Sequence, residues 1–255
     1  MMIDIENAKK ELVNHVNQLQ IDNPRVQMKV GHIMRVAENC KKLAIHLKLT
    51  EEQIQLAELI GLLHDIGRFE QYKIADKSQK KNFDHGEAGV EVLKKDNYIR
   101  KFIKESSYDE IILTAVYEHN KYQLSEGLPQ DQELFCKIIR DADKLDLIYE
   151  GAVIYWEQSE RMKQVEEGRL SEKMLENVYQ KKLADSRNSI SETDQVLRFA
   201  SYVFDINFSY SFNVLKDNGY ISKMIDKFHY QVPETRDEMR KVKKIVNEFI
   251  VNSTH

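Results

Sequence analysis

Apolar residues recur at helical spacing along most of the chain. After Asn23-Pro24 the intervals between them alternate between four and three residues, which places them along one face of an α-helix. An asparagine followed by a proline is also typical of a helix start. This first stripe consists of Val26, Val30, Ile33, Ala37, Cys40, Ala44 and Leu47. The pattern therefore predicts an amphipathic helix.

A second helix is predicted directly after the first. Thr50 and Gln53 have the spacing of a capping box, in which each side chain bonds to the backbone of the other residue. Apolar residues then crowd most of the helix circumference: Ile54, Ala57, Leu59, Ile60, Leu62, Leu63 and Ile66. Gly67 is typical of a helix end. Residues 68–83 lack clear periodicity and are predicted to form a loop.

Three more helical stretches follow. Asp84 with Glu87 has the capping-box spacing again, and Asp109 begins another apolar stripe. Residues 120–131, which include a glycine and a proline, are predicted to be a connection. A long helix is predicted next, extending toward Trp156. Its apolar positions are Leu134, Phe135, Ile138, Ile139, Ala142, Leu145 and Ile148.

The C-terminal part of the chain is predicted to be helical as well. Residues 161–188 are strongly charged and are expected to be exposed, with one short helix after Ser171. A long helix is predicted from Ser191 to about Gly219, followed by helices over residues 221–228 and 234–251. No alternating strand pattern competes, and no repeat or linker divides the chain. The predicted fold class is all-α, as one domain over residues 1–255.

Composition narrows the class of protein. Hydrophobic residues make up 42% and charged residues 31%, with nine glycines and three prolines. So few helix breakers argue against a β-sandwich, a β-barrel or collagen. The formal net charge is −4, which does not favour a nucleic-acid backbone as a partner.

The cysteines and the first residues indicate the compartment. Cys40 and Cys136 are the only cysteines and form neither a zinc-ribbon nor a disulfide pattern, so a reducing environment is expected. The N-terminus has acidic residues where a signal peptide needs a basic start. Apolar runs such as residues 152–156 fall short of the ~20 residues that span a membrane. We expect a cytoplasmic protein with no membrane partner, and its oligomeric state stays open.

The most informative polar pair is His64-Asp65, inside the predicted buried helix. A buried aspartate is costly unless it is paired or bound to a metal. Imidazole nitrogens and carboxylate oxygens together suit zinc, iron, manganese, nickel or cobalt. The alternative is an aspartate that caps the helix end beside an ordinary core histidine. The pair alone does not decide between these interpretations.

In its wider context the pair resembles the HD-domain metal-dependent phosphohydrolase superfamily. The resemblance rests on the order His32, His64-Asp65 and Asp143, and it covers residues 25–150. Flanking segments also match, namely Gly61-Leu62-Leu63, Ile66-Gly67 and Ala142-Asp143-Lys144-Leu145. The resemblance implies an HD-domain helical bundle with additional C-terminal helices. It also implies a metal-binding core at about 25–150, a helical lobe at about 151–255, and His32, His64, Asp65 and Asp143 as metal ligands.

Two further histidines are similar to those that dinuclear members of the family add. His85 lies at a predicted helix start and His119 at a predicted helix end. Each alone could be an ordinary exposed histidine. In the family's order they imply a second metal, with Asp65 bridging the two ions. The cyclic-dinucleotide branch carries Gly-Tyr-Pro after its paired histidines, whereas this chain has Gly127-Leu128-Pro129, which argues against that substrate.

Phosphate chemistry also needs cations outside the metal cluster. Arg68 could fork onto phosphate oxygens, and Lys144 could reach the same group, as the family resemblance implies. Arg140 lies one turn before Lys144. The alternative for Arg140 and Lys144 is ordinary solvated charge on a helix. The lysines at positions 73, 77, 80 and 81 are expected to belong to a solvated loop.

The resulting hypothesis is a metal-dependent phosphohydrolase. One or two divalent ions would activate water to cleave a phosphate ester or anhydride, with Asp65, Arg68 and Lys144 as catalytic residues. The expected substrate is a phosphorylated small molecule such as a nucleotide. Two alternatives stay open, namely an HD-fold di-iron oxygenase and a non-catalytic nucleotide-sensing protein.

Overall fold

The computed structural model describes residues 3–23, 25–74, 83–156 and 159–254. Within these ranges every regular element is a helix and none is a strand, which confirms the all-α fold class. The chain divides into two compact units, residues 1–143 and 144–255. The boundaries predicted from the sequence, one domain with a core at about 25–150 and a lobe at about 151–255, stay a prediction.

The first unit contains six α-helices and the first half of a seventh within the described ranges. They are α1 (Ile5–Gln18), α2 (Arg25–His46), α3 (Glu51–Leu63), α4 (Arg68–Lys73), α5 (His85–Lys94), α6 (Asp109–Glu118) and α7 (Gln130–Val153), which continues into the second unit. A 3₁₀ helix over Lys95–Lys101, which the sequence pattern did not predict, follows α5.

Helix α3 is the centre of this unit. Its N-terminus carries the predicted capping box, with both bonds between Thr50 and Gln53 present. Leu56, Leu59 and Leu62 are fully or almost fully buried. The helix packs against α1, α2 and α6. The second half of α3 is therefore buried on all sides, and the site residues lie on the helices and turns that surround it.

The chain beyond α3 differs from the sequence-based prediction. Helix α3 ends at Leu63, four residues before Gly67, and a turn over residues 64–67 leads directly into α4. The predicted loop at 68–83 is therefore wrong for its first six residues. Phe69, which is 0% exposed, anchors α4 to the core although its other residues are polar. Pro24 and the lysines at 77, 80 and 81 lie outside the described residues.

The second unit has its own helices and its own apolar core. After the end of α7 come α8 (Ser159–Glu167), α9 (Glu172–Tyr179), α10 (Thr193–Ser201), α11 (Ser209–Asn218), α12 (Tyr220–Ile225) and α13 (Pro233–Asn252). Helix α13 contacts α9, α10, α11 and α12. The fully buried Trp156 donates its indole N–H to the Gly151 carbonyl at 2.7 Å.

Two predictions for this unit were wrong. The segment 161–188 is not merely an exposed charged stretch, because Val165, Met174 and Val178 are fully buried. The predicted long helix from Ser191 is broken into α10, a 3₁₀ turn over Tyr202–Asp205, and α11. Gly219, at φ +61°, ends α11 as predicted.

Among the described helices, none has the combination of length and apolar sequence that a membrane crossing requires.

Candidate metal centre

The six ligands expected from the sequence come together in the first unit, as two groups of three. The residues arrive from α2, the turn after α3, the first position of α5, the end of α6 and α7. Within each group the potential ligand atoms all lie within 4.8 Å of one another. The first group is His32, His64 and Asp143, and the second group is Asp65, His85 and His119.

Asp65 belongs to the second group, but its two carboxylate oxygens face in different directions, one toward the histidines of each group. Its Oδ2 is 3.5 Å from His64 Nε2 and 3.7 Å from His32 Nε2. Its Oδ1 is 3.3 Å from His85 Nε2 and 3.6 Å from His119 Nε2. A single carboxylate can therefore reach two neighbouring positions at once.

Backbone carbonyls fix the orientation of two of the imidazoles. His64 Nδ1 lies 2.7 Å from the Gly61 carbonyl oxygen, and His119 Nδ1 lies 2.6 Å from the Val116 carbonyl oxygen. Because a carbonyl oxygen only accepts, each Nδ1 carries the proton and each Nε2 keeps its lone pair. Both Nε2 atoms and Asp65 Oδ1 are buried without a hydrogen-bond partner. Such atoms are rare in folded proteins, and here they are turned toward one another as ligands of an ion would be.

Close helix packing brings the first group together. A Cβ atom at Gly61 would lie 2.5 Å from the Cα of Ala37, so only glycine lets α2 and α3 approach this closely. His32 on α2 and His64 after α3 then face each other with ring centroids 5.5 Å apart. His32 is almost fully buried, although the apolar stripe placed it only beside the buried face.

The second group is positioned by the start of one helix and the end of another. Asp84 caps α5 by accepting hydrogen bonds from the backbone N–H groups of Gly86 and Glu87, which confirms the predicted helix start. His119 is the residue at the end of α6, as predicted. The ring centroids of His85 and His119 are 4.9 Å apart.

The electrostatics of the site favour the forms that bind metals. Burial lowers the pKa of His64 to about 4, so its imidazole is neutral at neutral pH. Burial would raise the pKa of Asp143, but His32, whose Nε2 lies 3.1 Å from Oδ1, lowers it further. Burial likewise would raise the pKa of Asp65, and the neighbouring Lys29 and Arg68 bring it well below its usual range. Both carboxylates are therefore ionised.

Comparison with known protein families shows that the segment carrying these residues matches a family model. The family model described as "HD domain" matches residues 30–148, a range that includes all six residues of the two groups. We call residues 30–148, the segment that matches this family model, the HD domain. HD domains belong mostly to metal-dependent hydrolases, and the two histidine and aspartate groups support divalent-metal binding. Comparisons with curated proteins and with solved structures give no match.

Two cations lie against the metal centre of the HD domain. Arg68, predicted from the sequence, places Nη2 2.8 Å from His85 Nε2 and Nε 3.5 Å from Asp65 Oδ1. Lys29, which sequence reasoning missed, places Nζ 2.8 Å from Asp65 Oδ2. Lys29 lies three residues before His32 on α2, so the two side chains share one helix face. This spacing could have indicated from the sequence that Lys29 lies near the metal centre.

Arg140 is neither a solvated charge nor available as a phosphate-binding cation. Its side chain is 1% exposed, and its guanidinium donates to backbone carbonyls just after α6. Nη1 lies 3.0 Å from the Glu118 oxygen and 2.7 Å from the Lys121 oxygen, and Nη2 lies 3.5 Å from the Tyr122 oxygen. Arg140 therefore fixes the segment that carries His119.

Lys144 begins the second unit and is also not a solvated charge. It is buried, and its Nζ lies 2.5 Å from Asp205 Oδ2 in the same unit. The solvated alternative is thus wrong for this residue. Its predicted role in binding phosphate stays a prediction.

Removal of the Arg140 guanidinium is expected to destabilise the HD domain. In Arg140→Met the carbonyls of Lys121 and Tyr122 just after α6 lose the guanidinium as a donor, and buried polar groups left unsatisfied cost about 3 kcal/mol in total. Urea unfolding of the metal-free chain would measure this loss. Lys137→Met, on the same helix but paired with Glu133 at the surface, is the matched control and should change stability by less than about 1 kcal/mol. Equal stability of the two variants would contradict the structural role of Arg140.

Proposed function

We propose that the chain is a metal-dependent phosphohydrolase that cleaves a phosphate ester or anhydride of a nucleotide or a related small molecule. The observation that carries this proposal is the pair of neighbouring three-residue groups, in which Asp65 of the second group also turns an oxygen toward His64 of the first. The HD domain supports hydrolysis as the reaction class. The cations beside the site support a phosphorylated substrate.

The residues present fit two divalent ions. His32, His64 and Asp143 with Asp65 Oδ2 would hold one ion, and His85 and His119 with Asp65 Oδ1 would hold the other. The Nε2 atoms of His64 and His119, which are buried without a hydrogen-bond partner, independently support a role for these histidines as metal ligands. Nitrogen and carboxylate donors of this kind suit iron, manganese, zinc, nickel or cobalt.

The charge of the site supports an anionic substrate. Two divalent ions bring four positive charges, and the carboxylates of Asp65 and Asp143 cancel two of them. A neutral substrate would leave this excess charge in a largely buried site, which is costly. A phosphate group would compensate it.

Bound divalent ions supply an activated water near neutral pH and polarise the phosphoryl group. The chain's own residues hold and orient the substrate. The Arg68 side chain is 27% exposed, so its guanidinium can both contact the site and reach a substrate from solvent. A planar guanidinium can bind two phosphate oxygens at once, which makes Arg68 a substrate-binding and charge-neutralising residue. The role of Lys144 as a point charge on the phosphate, which the family resemblance implies, stays a prediction.

The test is metal-dependent release of phosphate. Protein stripped with a chelator should release no phosphate from nucleotides or from a chromogenic phosphate monoester, and reloading should restore turnover with some of the five metals. Metal analysis should find two ions per chain. Release of phosphate with none of the metals would contradict the proposal. If the iron-loaded protein then consumed oxygen with another compound, the proposed function would change to an oxygenase. Failure to bind any metal would favour a non-catalytic sensing protein.

A further inference from the structure

Lys29 is paired with Asp65, the carboxylate whose two oxygens face the histidines of both metal groups. It lies on α2 one turn before His32, and its Nζ is 2.8 Å from Asp65 Oδ2. Its side chain is only 17% exposed. A mostly buried ammonium needs an anionic partner, and in the metal-free chain that partner is Asp65.

The oxygen that Lys29 holds is the one that faces the first metal group. The same Oδ2 lies 3.5 Å from His64 Nε2 and 3.7 Å from His32 Nε2. A divalent ion bound to a carboxylate oxygen sits about 2.0–2.2 Å from it, so an ammonium on the same oxygen would be left close to the ion. Because like charges repel strongly at such separations, Lys29 and a metal ion compete for Oδ2.

Arg68 shows the same relation to the second group. Its Nη2 lies 2.8 Å from His85 Nε2, and its Nε lies 3.5 Å from Asp65 Oδ1. Both cations therefore contact atoms that would bind the metals: Lys29 contacts Asp65 Oδ2, and Arg68 contacts His85 Nε2. If metal ions bind those atoms, the ammonium of Lys29 and the guanidinium of Arg68 need another anionic partner nearby.

We propose that Lys29 is a substrate-binding residue, and that its ammonium leaves Asp65 for a phosphate oxygen when metal and substrate bind. This inference rests on the proposed phosphohydrolase function and names the substrate more closely. Lys29 and Arg68 raise the positive charge of the loaded site by two. That charge favours a terminal phosphate, as in a phosphate monoester or the end of a polyphosphate, over the single charge of a phosphodiester.

Binding measurements with Mn²⁺ and inorganic phosphate test this exchange of partners. In Lys29→Met the competitor for Asp65 is removed, so Mn²⁺ alone should bind more tightly, by about tenfold. Inorganic phosphate should bind the Mn²⁺-loaded variant at least about tenfold more weakly, because one charge-assisted hydrogen bond is lost. The ratio of kcat/KM for a phosphate monoester to that for a diester should also fall.

Two further variants complete the design. Lys29→Gln removes the same charge but keeps a polar side chain of similar length, so it serves if Lys29→Met folds poorly. We expect it to shift the affinities for Mn²⁺ and phosphate in the same directions as Lys29→Met. Lys42→Met is the matched control, because Lys42 lies on the same helix but is exposed and paired with Glu38. Both affinities of Lys42→Met should stay within about twofold of the wild type.

The outcomes separate this inference from the proposed function. Opposite shifts of Mn²⁺ and phosphate affinity in the Lys29 variants support the exchange. Unchanged phosphate affinity, or a loss of Mn²⁺ affinity in both Lys29 variants, overturns it while phosphate hydrolysis by the wild type still stands. If the wild-type chain binds neither Mn²⁺ nor any of the other metals, the proposed function and this inference are both overturned.

Discussion

Asp65→Ala is expected to abolish hydrolysis and to lower the metal content at both positions. The two carboxylate oxygens of Asp65 face the histidines of both groups, so its loss would remove a ligand from each ion. His85→Ala or His119→Ala should remove only the second ion, since neither belongs to the first group. We expect turnover of Asp65→Ala to fall at least about a thousandfold, because activation of water depends on the ions. Metal analysis and steady-state phosphate release on the same samples would measure both effects.

Asp131→Ala is a suitable control, because Asp131 is an exposed aspartate in the first turn of α7. It should keep two ions and near wild-type turnover. Helical circular dichroism should be the same in all variants. Full metal content and full turnover in Asp65→Ala would contradict the shared-carboxylate arrangement. Loss of both ions in His85→Ala would contradict the independence of the first group.

The elements that periodicity predicted well are long and have one clear apolar face or surface. Helix α2 and helix α3 are of this kind, and the capping box at Thr50 marked the start of α3 correctly. Helix α4 was missed because it is one short segment with one buried side chain, Phe69, which no periodic pattern can reveal. The helix predicted from Ser191 was too long because the apolar sequence continues through the 3₁₀ turn over Tyr202–Asp205 and the extended backbone at Ile206, where the α-helix is interrupted.

The candidate ligands could be named from the sequence because their order along the chain resembles a known pattern. The roles of Lys29 and Arg140 could not, because both depend on partners far away in sequence. Lys29 on α2 pairs with Asp65 in the turn after α3, 36 residues further along the chain. Arg140 binds the carbonyl of Glu118, the last residue of α6, and that of Lys121 just after it, where a cation also complements the helix dipole. A charged residue on a helix looks solvated until the neighbouring chain is in place.

Gly67→Ala is expected to destabilise the HD domain and to disturb the second metal group. Gly67 has φ −71°, which alanine adopts freely, so the effect is steric rather than conformational. An added Cβ would lie 2.2 Å from the His85 carbonyl oxygen and 2.3 Å from the Gly89 backbone nitrogen. Backbone atoms cannot turn away as a side chain can, so the turn after α3 and the start of α5 must separate. We expect a loss above about 3 kcal/mol in the free energy of unfolding, measured by urea unfolding of the metal-free chain.

Gly31→Ala is the matched control, since an added Cβ there would meet, among the described residues, only Arg35 Nη1, at 3.5 Å. Gly31 lies inside α2, where alanine is more favourable than glycine by up to about 1 kcal/mol. The two substitutions should therefore change stability in opposite directions. Because His85 is the first residue of α5, the separation in Gly67→Ala should also weaken binding of the second ion more than the first, which a Mn²⁺ titration would detect. A Gly67→Ala chain as stable as the wild type, with two equivalent Mn²⁺ sites, would show that α5 does not approach the turn this closely and would remove the basis for placing His85 beside Asp65.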